Sequence, residues 1–252
     1  MDVITAGREP DRFDTAFAGN RLLATLPEDI RDQLQPHATF VQLGVGQPVM
    51  RAGELVTRTL FPFDSAMVSL IVDLAGGRSV EVASIGKEGA VGGIVSCGSA
   101  PAFTRAHVQI AGPALAIPLP VLEAAKRASP FLEHLFCRFS DYLLAQVMQS
   151  VACNAFHSIE ERAARWLLTA HDRAGDRLAL TQESLASLLG AQRTTVNAVA
   201  RELQEKGLIA YRRGAIEISD RPGLLNAACE CYSAVEDHFA AVIGETGEGE
   251  DA

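Results

Sequence analysis

From Leu22 to Leu34 the apolar residues Leu22, Leu23, Leu26, Ile30 and Leu34 recur at roughly helical spacing. Pro27 suits the start of a second short helix better than the middle of one. The period changes between Thr39 and Pro120. Runs such as TFVQLGVGQPVM, AMVSLIVDL and GRSVEVASIG alternate apolar and polar residues, with glycine-rich turns about every 8–12 positions. That alternation predicts a small antiparallel sandwich or barrel. Beyond Pro120 the helical period returns, first in LPVLEAAKRAS and then in the long segment PFLEHLFCRFSDYLLAQVMQSVACNAF. Within the long segment Leu132, Leu135, Phe139, Tyr142, Gln146 and Gln149 follow alternating three- and four-residue steps, close to a heptad seam. Leu143, Val147 and Val151 widen its apolar surface, so the helix needs two neighbours: its own β domain and, in one reading, a second copy of itself. Residues 1–18 lack a comparable pattern and are expected to be flexible.

The next segment, SIEERAARWLLTAHDRAG, opens with Ser158 and Glu161 at capping-box spacing. Ala163, Trp166 and Leu167 form its buried stripe. In LTQESLASLLG, Thr181 is the expected N-cap, Leu185, Leu188 and Leu189 one apolar face, and Gly190 a tight turn. A second helix then begins near Gln192. Val196, Val199, Ala200 and Leu203 face a core at i, i+3, i+4 and i+7, while Arg193, Asn197 and Arg201 lie on the opposite side beside Thr194. Two helices joined by a short glycine turn predict a helix-turn-helix, whose second helix enters the major groove. Arg193 has the planar fork that matches guanine O6 and N7, and Thr194 offers a hydroxyl or a methyl. Thr195 and Arg201 suit phosphates. EKGLIAYRRGAIEI reads as strand, turn and strand, a wing with Arg212 and Arg213 in reach of a phosphate backbone.

Charge first argues against nucleic acid, because the chain carries a formal net charge of −9. Its distribution reverses that. Residues 154–225 hold 10 Lys+Arg against 9 Asp+Glu, whereas residues 226–252 hold none against 7. The acid sits in a tail expected to be helical and then, in GETGEGEDA, solvated and disordered. With a locally small positive charge, affinity must come from a patch, and a dimer would double it.

The N-terminus has no apolar core of a secretory signal and no stretch is long enough to span a membrane, so the expected location is the cytoplasm. The 5 cysteines are Cys97, Cys137, Cys153, Cys229 and Cys231. None forms a CxxC pair, Cys229 and Cys231 are poorly spaced for a zinc knuckle, and no compact group of four ligands is visible. Reduced thiols are the expectation. Enzyme signatures such as Gly-x-Ser-x-Gly, His-Glu-x-x-His and a phosphate loop with lysine are missing from the sequence. Glu81 and Glu88 flank a glycine-rich segment, where glutamates at strand ends are expected to be solvated.

In this order, a glycine-punctuated β segment, a long heptad helix and LTQESLASLLGAQRTTVNAVARELQEKGLI resemble the Crp/Fnr family of bacterial transcription regulators over about residues 20–225. The resemblance implies an α+β fold. It places a cyclic-nucleotide-binding-like antiparallel β-roll (double-stranded β-helix or jelly-roll type) at 19–128, a dimerisation helix at 129–156 and a winged helix-turn-helix at 157–225. It further implies a homodimer on a palindromic double-stranded site, an effector held between β-roll and dimer helix, and, for an activator, contact with RNA polymerase. Arg193 stands at the family's guanine-reading position. Ligand-pocket candidates by the same resemblance are Gly92, Gly93, Thr104, Arg105 and Ala106. There are departures. Gly92-Gly93 replaces the Gly-Glu pair that meets ribose, and Arg105 stands one place late for the cyclic phosphate, which argues against cyclic AMP. No cysteine precedes Cys97, which argues against the family's N-terminal iron–sulfur cluster. His107 or Cys97 as a haem ligand has no support beyond the residue type. No cofactor is expected, and the effector is left open. Thr194 replaces the glutamate that accepts from cytosine, so the half-site should differ. Gln192, where serine is common, caps weakly, and a bound phosphate would stabilise that helix start instead.

Overall fold

The computed structural model describes residues 9–94, 100–212 and 214–244. It begins with three short helices, α1 (Glu9–Gly19), α2 (Arg21–Ala24) and α3 (Glu28–Leu34), and a 3-10 turn at Gln35–His37. The flexible stretch expected over residues 1–18 is helical from Glu9. Ala16 and Phe17 are fully buried, and the Phe13 ring packs 4.6 Å from that of Phe40. Three apolar residues at i, i+3 and i+4 suffice because the sheet supplies the other half of the contact. Asn20 holds the junction. Its side-chain Oδ1 accepts from the Leu22 and Leu23 amides at 3.1 and 3.0 Å, and its Nδ2 donates to Pro62 O and Gly89 O at 2.7 and 2.8 Å.

Seven strands follow: β1 (Thr39–Leu43), β2 (Pro48–Met50), β3 (Arg58–Pro62), β4 (Met67–Asp73), β5 (Ser79–Ile85), β6 (Arg105–Ile110) and β7 (Gly112–Pro118). They form two antiparallel sheets ordered β1-β7-β3 and β2-β6-β4-β5, as the alternation predicted. Then come α4 (Leu119–Ala128), α5 (Pro130–Phe156), α6 (Ile159–Ala174), β8 (Arg177–Leu178), α7 (Gln182–Leu189), α8 (Arg193–Glu205), β9 (Ile209–Arg212), β10 (Ala215–Ile218), α9 (Arg221–Ala227) and α10 (Cys231–Ile243). No helix among the described residues is long and apolar enough to cross a membrane.

The long helix α5 has the expected heptad period in a second phase. Leu132, Leu135, Phe139, Tyr142 and Gln146 are buried within the chain, against the β-roll core and α10. Gln146 accepts from the Ser84 amide at 2.8 Å and donates to the Tyr142 hydroxyl at 3.0 Å, and Gln149 donates to Cys231 Sγ. The seam expected to face another copy therefore faces the chain itself. A parallel row, Cys137, Asp141, Leu144, Met148, Val151 and Ala155, repeats the four- and three-residue steps on the exposed side. Leu144, Met148 and Val151 are 51%, 61% and 66% exposed. A helix apolar on two sides carries two seams, and the sequence alone does not say which one its own domain covers.

Helices α6, α7 and α8 are docked on the β-roll. Met67, Ile71 and Ile110 of β4 and β6 share one apolar cluster with Trp166, Leu167, Leu188, Leu189, Val196 and Ile216. The glutamates expected to be solvated form the polar part of this joint. Trp166 Nε1 donates to Glu81 at 2.8 Å, and Ser69 Oγ donates to the other Glu81 oxygen. Arg173 of α6 forks onto Glu88: Nε donates to Oε2 at 3.0 Å and Nη2 to Oε1. Nη1 donates to Ser84 Oγ at 2.9 Å. Strand ends that look exposed in one domain become interior once a second domain covers them.

Candidate nucleic-acid interface

The capping signals set the geometry of the motif. Ser158 and Glu161 form the expected capping box at the start of α6. Thr181 caps α7 by accepting from the Ser184 amide at 3.1 Å. At its other end Gly190 adopts φ 61°, ψ 31°, the left-handed conformation that glycine enters without a Cβ penalty. A Cβ at Gly190 would also meet Val80 Cγ2 at 3.2 Å, so the turn lies against β5. Arg162, buried under the motif, donates to the Leu189 carbonyl and satisfies the end of α7. Sequence patterning did not single out Arg162. The only signal was an arginine on the otherwise apolar flank of Ala163.

On α8, Val196, Ala200 and Leu203 are buried and Val199 is half-buried. Opposite them Gln192, Arg193, Thr194, Thr195 and Arg201 are exposed. Asn197 is half-buried, and its Oδ1 lies buried without a hydrogen-bond partner among the described residues. Gln192 makes no side-chain cap. Lys206, just past α8, contacts Glu160 at 2.6 Å and Glu202 at 2.9 Å, which ties the back of α8 to α6.

The wing is a three-stranded sheet ordered β8-β10-β9, with Ala215 opposite Arg212 at its tip. Arg212 is exposed and sits 3.1 Å from Glu217. Arg213 lies outside the described residues. Arg193 makes a loose 3.9 Å pair with Glu183 in which both partners are well exposed. Pairs as exposed as these are weak and can exchange their carboxylates for phosphate or a base edge.

The ligand-pocket candidates divide. Gly92 lines a cavity of about 260 Å³ with Met50, Arg51, Glu54, Val56 and Arg58. A Cβ at Gly93 would lie 2.4 Å from Leu119 Cδ1, so the space next to Gly93 is filled by leucine methyls. Thr104, Arg105 and Ala106 do not line this cavity. Arg105 Nε donates to Asp73 at 2.7 Å, and its Nη1 lies 3.1 Å from His107 Nδ1. Burial, helped by the Arg105 charge, holds the His107 imidazole below its ordinary pKa. Cys97 lies outside the described residues.

Residues 161–227 match the family model of the Crp-like helix-turn-helix domain. No curated protein sequence matches the chain. Among solved structures, FixK2 from Bradyrhizobium japonicum superposes with a TM-score of 0.65 at 17% identity, covering 76% of this chain and 98% of that one. A putative Crp/Fnr-family regulator from Eubacterium rectale gives 0.60 at 18% identity, over 82% and 96% of the two chains. The c-di-GMP-responsive global regulator CLP from Xanthomonas campestris gives 0.60 at 18%, over 77% and 100%. The chain thus carries a Crp-like helix-turn-helix and has the fold of Crp/Fnr-type regulators.

Proposed function

We propose that this protein regulates transcription as a homodimer on a two-fold symmetric duplex, with Arg193 reading guanine and the wing arginines holding phosphate. The observation that carries the reading is the exposed edge Gln192–Thr195 on a helix whose opposite face is buried. The exposed α5 row from Cys137 to Ala155 supports the dimer. It is apolar at Leu144, Met148 and Val151, has heptad spacing, and is therefore able to pack against its own copy. The cytoplasm, where its duplex would be, is the compartment that fits, and RNA polymerase is the further partner if the protein activates.

The signal it obeys is a molecule other than cyclic AMP, or none. Leucine methyls stand where a ribose-binding carboxylate would have to fit, and Arg105, bonded to Asp73, does not line the cavity beside Gly92. A buried sugar hydroxyl without its acceptor costs about 1–3 kcal/mol. A different small ligand in the cavity bounded by Arg51, Glu54 and Arg58 is the second reading, favoured by the cavity itself.

Selection from a pool of random duplexes tests the proposal. The expected product is a palindrome with half-sites about one helical turn apart. Arg193→Ala should then lower the ratio of specific to non-specific binding by roughly 5- to 150-fold, the equivalent of about 1–3 kcal/mol for one bidentate base contact. An unchanged ratio would remove Arg193 from the reading edge.

A further inference from the structure

Four side chains with no part in the DNA edge or the cavity converge where the long helix ends. Cys153 and His157 are four residues apart at the C-terminal end of α5, on one helix face, and the His157 amide donates to the Cys153 carbonyl at 3.1 Å. Cys229 lies in the short link from α9 to α10, and Cys231, beyond Glu230, is the first residue of α10. Their three Sγ atoms and one imidazole nitrogen all lie within 4.8 Å of one another. The cysteines are 0%, 6% and 1% exposed.

The distances fit a single ion. Ligands at about 2.3 Å for sulfur and 2.0–2.1 Å for nitrogen, placed tetrahedrally, stand about 3.8 Å apart for S···S and about 3.6 Å for S···N. Cys153 Sγ and Cys229 Sγ are 3.6 Å apart, and Cys231 Sγ is 3.4 Å from His157 Nδ1. A cluster of several irons would hold its thiolates further apart. A disulfide needs sulfurs at about 2.05 Å, and these cysteines are free.

The surroundings complete the pattern. His157 turns Nδ1 to the sulfurs, and its Nε2 lies 3.3 Å from a Glu230 oxygen, the outer carboxylate that orients a metal-binding imidazole. Gln149 Nε2 donates to Cys231 Sγ at 3.0 Å, a bond that supports a thiolate. Arg162 and Arg165 lie close enough for their charges to act on Cys153. Four protein ligands leave no open position, which is the arrangement of a structural site and not of a hydrolytic one.

We propose that Cys153, His157, Cys229 and Cys231 bind one divalent ion of the zinc type in a tetrahedral site of three thiolates and one imidazole. The ion pins the α9–α10 link to the junction of α5 with α6, where the β-roll's long helix hands over to the DNA-binding domain. Binding displaces the thiol protons to solvent as the thiolates form.

The test is titration of reduced, chelator-treated full-length protein with cobalt(II) alone. One cobalt per chain is expected, with the visible bands of tetrahedral coordination and the near-ultraviolet sulfur-to-cobalt band, both erased by added zinc. Cys229→Ser should weaken the sulfur band by about a third or more, since two thiolates remain. Glu230→Gln alters an exposed side chain and should fold, yet weaken cobalt affinity by about 10-fold or more. Cys97→Ser with Cys137→Ser should leave the spectrum unchanged. The proposal is overturned if reduced wild-type protein gives no tetrahedral spectrum, or if the spectrum depends on Cys97 or Cys137. It is equally overturned if the native protein carries several irons with labile sulfide per chain.

Discussion

Arg173→Met removes the charged fork that joins α6 to the β-roll while keeping much of the aliphatic stem. In the native chain the Arg173 and Glu88 side chains are 5% and 8% exposed. The guanidinium makes two bonds to Glu88 and two to Ser84, the latter at 2.9 and 3.2 Å. Removing one partner leaves a buried carboxylate without its cation, which costs about 3–5 kcal/mol, a large part of a typical domain's stability of about 5–15 kcal/mol. Burial alone would push the Glu88 carboxyl up; the Arg173 charge and hydrogen bonds, with the Gly86 amide, outweigh it and hold the group below the ordinary value. The sign follows. Glu88 contributes stability above the unfolded carboxylate pKa, and this is lost as pH falls through the lower folded value. In Arg173→Met burial wins, so Glu88 protonates more readily. The deficit should then be largest near neutral pH and shrink in mild acid. Urea unfolding followed by fluorescence reads this directly, because the chain's 1 tryptophan, Trp166, sits in the same joint. Adding Glu88→Gln should recover at least about 1 kcal/mol of the loss, since an uncharged amide is less costly to bury unpaired. A deficit below about 1 kcal/mol at neutral pH, or one that does not narrow in acid, would refute the idea that this pair carries the joint.

Leu144→Glu combined with Val151→Glu places charge on the exposed α5 seam, and light scattering should report a monomer where the parent is a dimer; a parent that is monomeric, or a variant that stays dimeric, excludes that seam. Arg212→Ala should weaken binding to all duplexes alike and reduce the dependence of log affinity on log salt by roughly one phosphate contact, checked by anisotropy titrations over a salt series. Gly89→Ala drives a methyl to 2.3 Å from Phe139 Cζ, and an overpacking cost of about 1–3 kcal/mol should appear in the same unfolding assay.

The parts of this structure legible in the sequence are those set by local chemistry. Alternation gave the β-roll strands, Ser158 and Glu161 the start of α6, and Thr181, Gly190 and the Val196–Leu203 stripe the two helices of the motif. What was not legible depended on which surface covers which. The heptad of α5 has two phases, and only the packing of Leu135 and Phe139 against the roll assigns them. Glu81 and Glu88 read as strand-end acids until α6 lies over them. Cys153 and His157 read as an unremarkable helix end, and Cys229-Glu230-Cys231 as poor zinc spacing, because neither half holds four ligands and they meet only through the docking of α10 along α5.

The apolar cluster that Met67, Ile71 and Ile110 share with the helix-turn-helix domain ties their melting to each other. A duplex that binds only the native form adds RT ln(1 + [L]/Kd) to the stability of whatever unfolds with its site. Strands β4 and β6 are no part of the proposed DNA edge, yet their amide protons should exchange more slowly once cognate duplex is added. Anything that loosens those strands should in turn be felt as weaker DNA affinity.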